Sequence, residues 1–295
     1  MTTLVLLAAG MATRYGSLKQ MDGFGPNKEW IMDYSIHDAI KAGFGKVVFI
    51  IRKDFYEDFK ALVEPKWASK VEIDYAFQET DVDFSDNPVV KGRQKAWGTA
   101  HAMLCAQKQV TGPFCILNAD DCYSADAFVQ MQNFLTQENS DYSFVGYTLG
   151  NTLSDNGAVS RGVCQVDENQ NLVEIIENTK ISKEGDAIVS LINDEKINLP
   201  YQAIASMNFW GFRTNVFAEA QAGFKKFISN YEGNEKSEYF IPKLVDDLKK
   251  EKNQVVKCLP TTGEWTGVTY PEDKALVQSK IDQWIADGKY PSKLW

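Results

Sequence analysis

The sequence predicts a layered α/β fold with a mostly parallel sheet in its first half, and three observations carry that reading. Short apolar runs alternate with helical patterns over roughly the first 150 residues, as a parallel sheet with crossover helices requires. The runs Leu4–Leu7, Val47–Ile51 and Phe114–Leu117 are apolar without alternation, which is the pattern of strands covered on both faces. With 295 residues and 44% hydrophobic side chains, the chain can bury a large core as one domain, residues 1–295, and disorder is excluded.

Taken in order, the central strands are separated by helical patterns at Asp33–Ala42, Trp97–Gln109 and Ala125–Gln137. The segment from Val71 to Phe77 alternates apolar with polar, so it is expected to keep one solvated face. Near residue 158 the pattern changes. Arg161–Val166 and Leu172–Ile176 flank the polar turn Asp167-Glu-Asn-Gln-Asn171 and read as a β-hairpin. A charged segment around Lys183–Asn198 leads to an extended stretch at Ala203–Phe212. Helices follow near Asn215–Phe227 and at Glu238–Lys250, the latter with Pro242 in its first turn, where proline is tolerated. A short strand at Val255–Leu259, a loop through Trp265 and a last helix at Pro271–Ala286 complete the chain. With no repeat or linker, residues 1–150 read as one half of the domain and 151–295 as the other.

A formal charge of −9 and a pI near 4.9 argue against sequence-independent binding to nucleic acid or an anionic membrane. An anionic small molecule must then meet a local basic site. The five cysteines, Cys105, Cys115, Cys122, Cys164 and Cys258, form no CxxC pair and mostly lie in apolar runs, so buried free thiols are expected. The first apolar run is too short for a signal peptide or a membrane span. A cytoplasmic protein is the expectation.

The stretch from Leu7 to Gln20, LAAGMATRYGSLKQ, follows the first buried strand. Ala8, Ala9 and Gly10 add little side-chain bulk, so backbone N–H groups can approach a polyphosphate. Arg14 offers a planar fork of donors and Lys19 a compact charge. The pattern is neither the GxxxxGK[ST] phosphate loop nor the GxGxxG dinucleotide fingerprint. It resembles the signature loop of the sugar-1-phosphate nucleotidyltransferases. That resemblance implies a Rossmann-like (GT-A-like) mixed central sheet flanked by helices, with an inserted β-hairpin lobe for the sugar. It also implies catalytic charge stabilisation by Arg14 and Lys19, and triphosphate contacts along Ala8, Ala9 and Gly10.

Gln78 ends the alternating strand and Gly98-Thr99-Ala-His-Ala102 opens a helix. A carboxamide that donates and accepts suits the edge of a pyrimidine. The string is similar to that of uridylyltransferases acting on N-acetylglucosamine 1-phosphate, which makes UTP the first choice and Gln78, Gly98 and Thr99 nucleotide-binding candidates. His101 is read as a packing residue. The buried run ending in Asn118-Ala-Asp120-Asp121 places two acids where ligands bind in open α/β sheets, and hard oxygen ligands suit Mg²⁺. Asp120 aligns with the family's metal-binding aspartate, with Asp121 as the fallback. Thr269 stands where the family supplies a second ligand. Asp273 is either that ligand or a first-turn carboxylate of the last helix. The resemblance further assigns the sugar phosphate to Gly162, Glu177, Lys180 and Asn208, although Lys180 follows the acid by three residues rather than one.

The implied reaction joins a nucleoside triphosphate to a sugar 1-phosphate and releases pyrophosphate, with Mg²⁺ as cofactor and small molecules as the only substrates. A cytidylyl- or thymidylyltransferase acting on another phosphorylated substrate is the alternative. A further one is a regulator that binds nucleotide or sugar without turnover.

Overall fold

A computed structural model describes residues 1–10, 23–81, 88–192, 195–268, 270 and 272–295. Four parallel strands form one half of the sheet: β1 (Thr3–Leu7), β2 (Lys46–Ile51), β3 (Glu72–Phe77) and β4 (Phe114–Asn118). β1 lies between β2 and β4, with Leu7 beside Ile50 on one side and Asn118 on the other. Their side chains alternate between two cores. Leu4, Leu6, Val47, Phe49, Cys115 and Leu117 point into one, and Val5, Val48, Ile50, Phe114 and Ile116 into the other. This is why these runs show no polar positions: each residue has an apolar layer to enter, and burying each large aliphatic stabilises the fold by about 1.5–3 kcal/mol.

Helices α1 (Ile31–Ala42) and α2 (Tyr56–Trp67) meet at Asp33, which is fully buried. Its carboxylate accepts from the Trp30 amide at 2.7 Å, Lys66 Nζ at 2.8 Å and Trp67 Nε1 at 2.8 Å. The Lys66 ammonium lies over the Trp30 and Trp295 rings at 4.4 and 4.5 Å, so the end of the chain packs on this pair. The sequence reading contains no α2, because Pro65 interrupts its pattern. The proline is tolerated in the last turn, where it cancels only one backbone bond.

The longer helices that follow among the described residues are α3 (Thr99–Cys105), α4 (Ala125–Leu135), α5 (Val216–Ser229), α6 (Ile241–Lys252) and α7 (Asp273–Ala286), with a single helical turn at Pro88–Lys91 before them. α3 is shorter than the expected Trp97–Gln109. Trp97 instead accepts from the Tyr239 amide at 2.7 Å. Gly98 takes φ +102°, and a Cβ there would lie 2.6 Å from the Tyr239 carbonyl oxygen, so this approach demands glycine.

The second half of the sheet is antiparallel apart from the parallel pairing of its last strand, Val256–Pro260, with Tyr142–Thr148. β7 (Val159–Val166), β8 (Leu172–Glu184), β9 (Ala187–Ile192) and β10 (Glu195–Leu199) form a meander joined to the parallel half through β11 (Ile204–Phe212). The expected hairpin is therefore the start of a larger lobe. Much of the charged 183–198 segment lies in β8, β9 and β10, with Ile188, Val189 and Ser190 buried and Lys183, Glu184, Glu195 and Lys196 exposed. β6 (Tyr142–Thr148), also absent from the sequence reading, pairs with the other edge of β11 and with β12 (Val256–Pro260). Among the described residues no helix is long and apolar enough to cross a membrane. All five cysteines are free thiols, four of them fully buried and Cys105 half-buried.

β11 positions the site. Its first residues pair with β7, Ser206 beside Gly162, and its last with β4, Trp210 beside Ile116. Between them the ladder is interrupted at Met207–Phe209, and Asn208 adopts φ +61°. A bulge of this kind re-aims a side chain. Here it opens a gap between β4 and β7 at the carboxyl end of the parallel strands.

Candidate active site

A cavity of about 1090 Å³ fills that gap. Asn118, Asp120 and Asp121 line it from the end of β4, Ser160, Arg161 and Gly162 from β7, Ile175 and Glu177 from β8, and Ser206 and Asn208 from β11. Thr99 and the first turn of α6 close one side, and Trp265, Tyr270 and Lys274 the other. Of the sequence-predicted residues, Thr99, Asp120, Gly162, Glu177 and Asn208 thus converge. Ala8 extends β1 through a 2.9 Å bond to the Ile50 carbonyl, and Ala9 and Gly10 follow it at the sheet's carboxyl edge. Arg14, Lys19 and Thr269 lie outside the described residues.

A chain of amides joins the two halves of the site. Asn208 Nδ2 donates to Asn118 Oδ1 at 2.7 Å, and Asn118 Nδ2 donates to Asp121 Oδ2 at 2.9 Å. Trp210 Nε1 donates to Asn208 Oδ1 at 3.1 Å, which sets the orientation of that amide. The buried Tyr123 hydroxyl donates to the Met207 carbonyl at 2.7 Å and touches Asp121 Oδ2 at 3.4 Å. Burial and the Asp121 charge hold its phenol well above the usual tyrosine range. Asp121 is further fixed by the short ribbon β5 (Asp121–Cys122) with β13 (Thr266–Gly267). Gly267 stands opposite it, and a Cβ there would lie 2.4 Å from Asp121 Oδ1, so only glycine leaves room for the carboxylate.

Asp273 is 4% exposed. Its carboxylate accepts from Ser154 Oγ, Asn156 Nδ2 and the Tyr270 amide, each at 2.8 Å, at the start of α7. Of the two roles the sequence left open, this geometry matches the first-turn carboxylate, which ties Tyr270 and the Ser154–Asn156 turn to the start of the helix. Among the described residues no three His, Cys, Asp or Glu side chains converge as a metal cage. The donor set at the end of β4, two adjacent acids facing an open cavity, fits a cation that takes its other ligands from phosphates and water, as Mg²⁺ does.

Gln78 Nε2 donates to the Gly98 carbonyl at 3.3 Å, and Thr99 Oγ1 accepts from the Ile241 amide at 3.0 Å, tying α3 to α6 beside the cavity. His101 packs on the Phe224 ring at 4.6 Å, and burial pushes its pKa down to about 4. It is a neutral packing residue. Glu177 projects from β8, and desolvation raises its carboxyl above the usual range, with Arg161 partly offsetting the shift. Lys180 is exposed at φ +53°, where a register shift interrupts the pairing of β8 with β7, and it lies outside the cavity lining.

Sequence reasoning missed Asn118, although the one polar residue closing an otherwise apolar strand is a visible signal. It left Arg161, beside Gly162, open between the sugar side of the site and an exposed strand position, because the place of that side chain depends on Trp265 and the loop before β7.

The family model for nucleotidyl transferase matches residues 4–275, and the chain belongs to that family. Three solved structures share the fold at 14% identity each. The inositol-1-phosphate CTP transferase from T. maritima superposes with a TM-score of 0.63 over 96% of this chain and 97% of that one. A putative glucose-1-phosphate thymidylyltransferase from Bacillus anthracis gives 0.63 over 95% of both chains. A UDP-glucose pyrophosphorylase complexed with UDP-glucose gives 0.58 over 96% of this chain and 99% of that one. No curated protein matches the chain by sequence.

Proposed function

We propose that the chain transfers a nucleotidyl group from a nucleoside triphosphate, UTP first, to a sugar 1-phosphate, with Mg²⁺ as cofactor and pyrophosphate as the second product. The observation that carries this reading is that one cavity contains both Asp120, at the carboxyl end of a parallel strand, and the hydroxyl-recognising pair Glu177 and Asn208. A sugar phosphate oxygen forms the new bond to the α-phosphorus while the bond to the β-phosphate oxygen breaks. The nucleophile is already anionic, so no general base is needed. Catalysis consists of bringing two anions together and compensating their charge. Asp120 would hold Mg²⁺, which would supply part of that charge compensation when bound. Arg14 and Lys19 supply the rest at the triphosphate. Gln78 spends one N–H on Gly98 and keeps a second N–H and its oxygen, which complement a pyrimidine edge.

The test is a matrix of UTP, CTP and dTTP against hexose 1-phosphates, with pyrophosphate release measured with and without Mg²⁺. UTP is expected to be preferred by at least about tenfold, a difference of roughly 1.4 kcal/mol. Preference for CTP or dTTP would replace the uridylyl assignment, in keeping with the cytidylyl- and thymidylyltransferases among the similar structures. No release with any pair would overturn the reading.

A further inference from the structure

We infer that Arg161, rather than Lys180, grips the phosphate of the sugar 1-phosphate; this rests on the transferase reading above. The guanidinium is held from behind. Its Nε and Nη2 both donate to the Thr152 carbonyl, at 3.1 and 2.6 Å, and Nη1 donates to the Ser160 carbonyl at 2.8 Å. Its plane sits 4.9 Å from the centre of the Trp265 ring. Three of the five N–H groups are thereby used, and one remains on each of Nη1 and Nη2. Such a pair is the edge that takes two oxygens of one phosphate at once.

The surroundings favour an anion that arrives with a cation. Asp121, Glu177 and Asp273 all lie within electrostatic reach of the guanidinium. Asp121 and Glu177 share the cavity wall with Lys243 and Lys274, so an anion entering there meets charges of both signs. Arg161 lines the same cavity as Glu177, the proposed sugar contact, and the acids at the end of β4, and its guanidinium feels the charges of both Asp121 and Glu177. A phosphate that links a sugar at Glu177 to a cation at those acids has to lie in this cavity. Lys180 has the charge but the wrong place, since its side chain is in solvent at the interrupted pairing. The anchored guanidinium also loses little freedom on binding, whereas a solvated lysine would have to be ordered.

Steady-state kinetics on Arg161→Ala, Arg161→Gln and Lys180→Ala test this. Glutamine keeps one donor for the Thr152 or Ser160 carbonyl, so it serves as the folded control if the alanine variant melts early. Both Arg161 variants are expected to raise KM for the sugar 1-phosphate about 10- to 100-fold, with KM for the nucleoside triphosphate within about twofold. Guanidine added to Arg161→Ala is expected to restore part of the loss, and Lys180→Ala to behave as the unaltered enzyme. An unchanged sugar-phosphate KM in either folded Arg161 variant would overturn the assignment. So would equal increases for both substrates, or a loss confined to Lys180→Ala. The unaltered enzyme separates this from the parent reading. If it turns over sugar 1-phosphates and Arg161→Gln is indifferent, only the arginine assignment fails; if it turns over none, both fail.

Discussion

The two sides of the cavity are built by different means. The side at the carboxyl end of β4 stands on parallel strands buried on both faces, so Asp120 and Asp121 inherit their positions from a two-layered core. The other side stands on an antiparallel lobe with one solvated face, and it reaches its geometry through interrupted pairing and positive φ at Lys180 and Asn208. One side is rigid by packing and the other is shaped by local backbone exceptions. Substitutions on the first are therefore expected to stop the chemistry or the fold, and on the second to change which substrate is held.

The largest expected effect is on the packed side. Asp120→Ala is predicted to lower kcat by about 10³-fold or more, comparable to removing a key charge-stabilising group, with an unchanged melting temperature. Pyrophosphate release and a thermal melt check it together, and near-normal turnover would remove Asp120 from the mechanism. Next is Asp33→Ala. It removes the acceptor for three buried donors, one of them the Lys66 ammonium, and is expected to cost about 3–5 kcal/mol in urea unfolding. A loss below 1 kcal/mol would show that the support behind this half is not concentrated there.

On the lobe side, Glu177→Gln is predicted to raise the sugar-phosphate KM about tenfold, near 1.4 kcal/mol, without altering KM for the nucleotide. The smallest effect is that of pH. Burial raises the Glu177 carboxyl, so it gains a proton at a pH above the usual glutamate range as the solution is acidified, and the acceptor for sugar hydroxyls is lost. The sugar-phosphate KM should rise on that acid limb while the nucleotide KM does not, and Glu177→Gln should remove the limb. A limb shared by both substrates would assign the titration elsewhere.

The same contrast explains what could be read from the sequence. Strands covered on both faces announce themselves as uninterrupted apolar runs, and Asp120 follows one directly, so the parallel half and its acids were legible. Strands with a solvated face carry charges, so β9 and β10 looked like a charged connection. α2 was hidden by Pro65 in its last turn. Asn118 and Arg161 acquire their roles from partners 90 and 104 residues away in sequence, Asn208 and Trp265, and no local pattern encodes such pairings. The interrupted pairing that leaves Lys180 outside the cavity is likewise a property of the ladder, not of the string around it.

Asn208 sets stability against function. A residue with a Cβ held in the left-handed region costs the fold about 1 kcal/mol, and glycine would relieve that strain at φ +61°. Glycine would also delete the amide that Trp210 orients and that engages Asn118. Those two bonds are worth about 0.5–1.5 kcal/mol each, so the side chain that strains the backbone also offsets the strain, and glycine would leave the fold near its present stability while stripping the amide from the cavity wall.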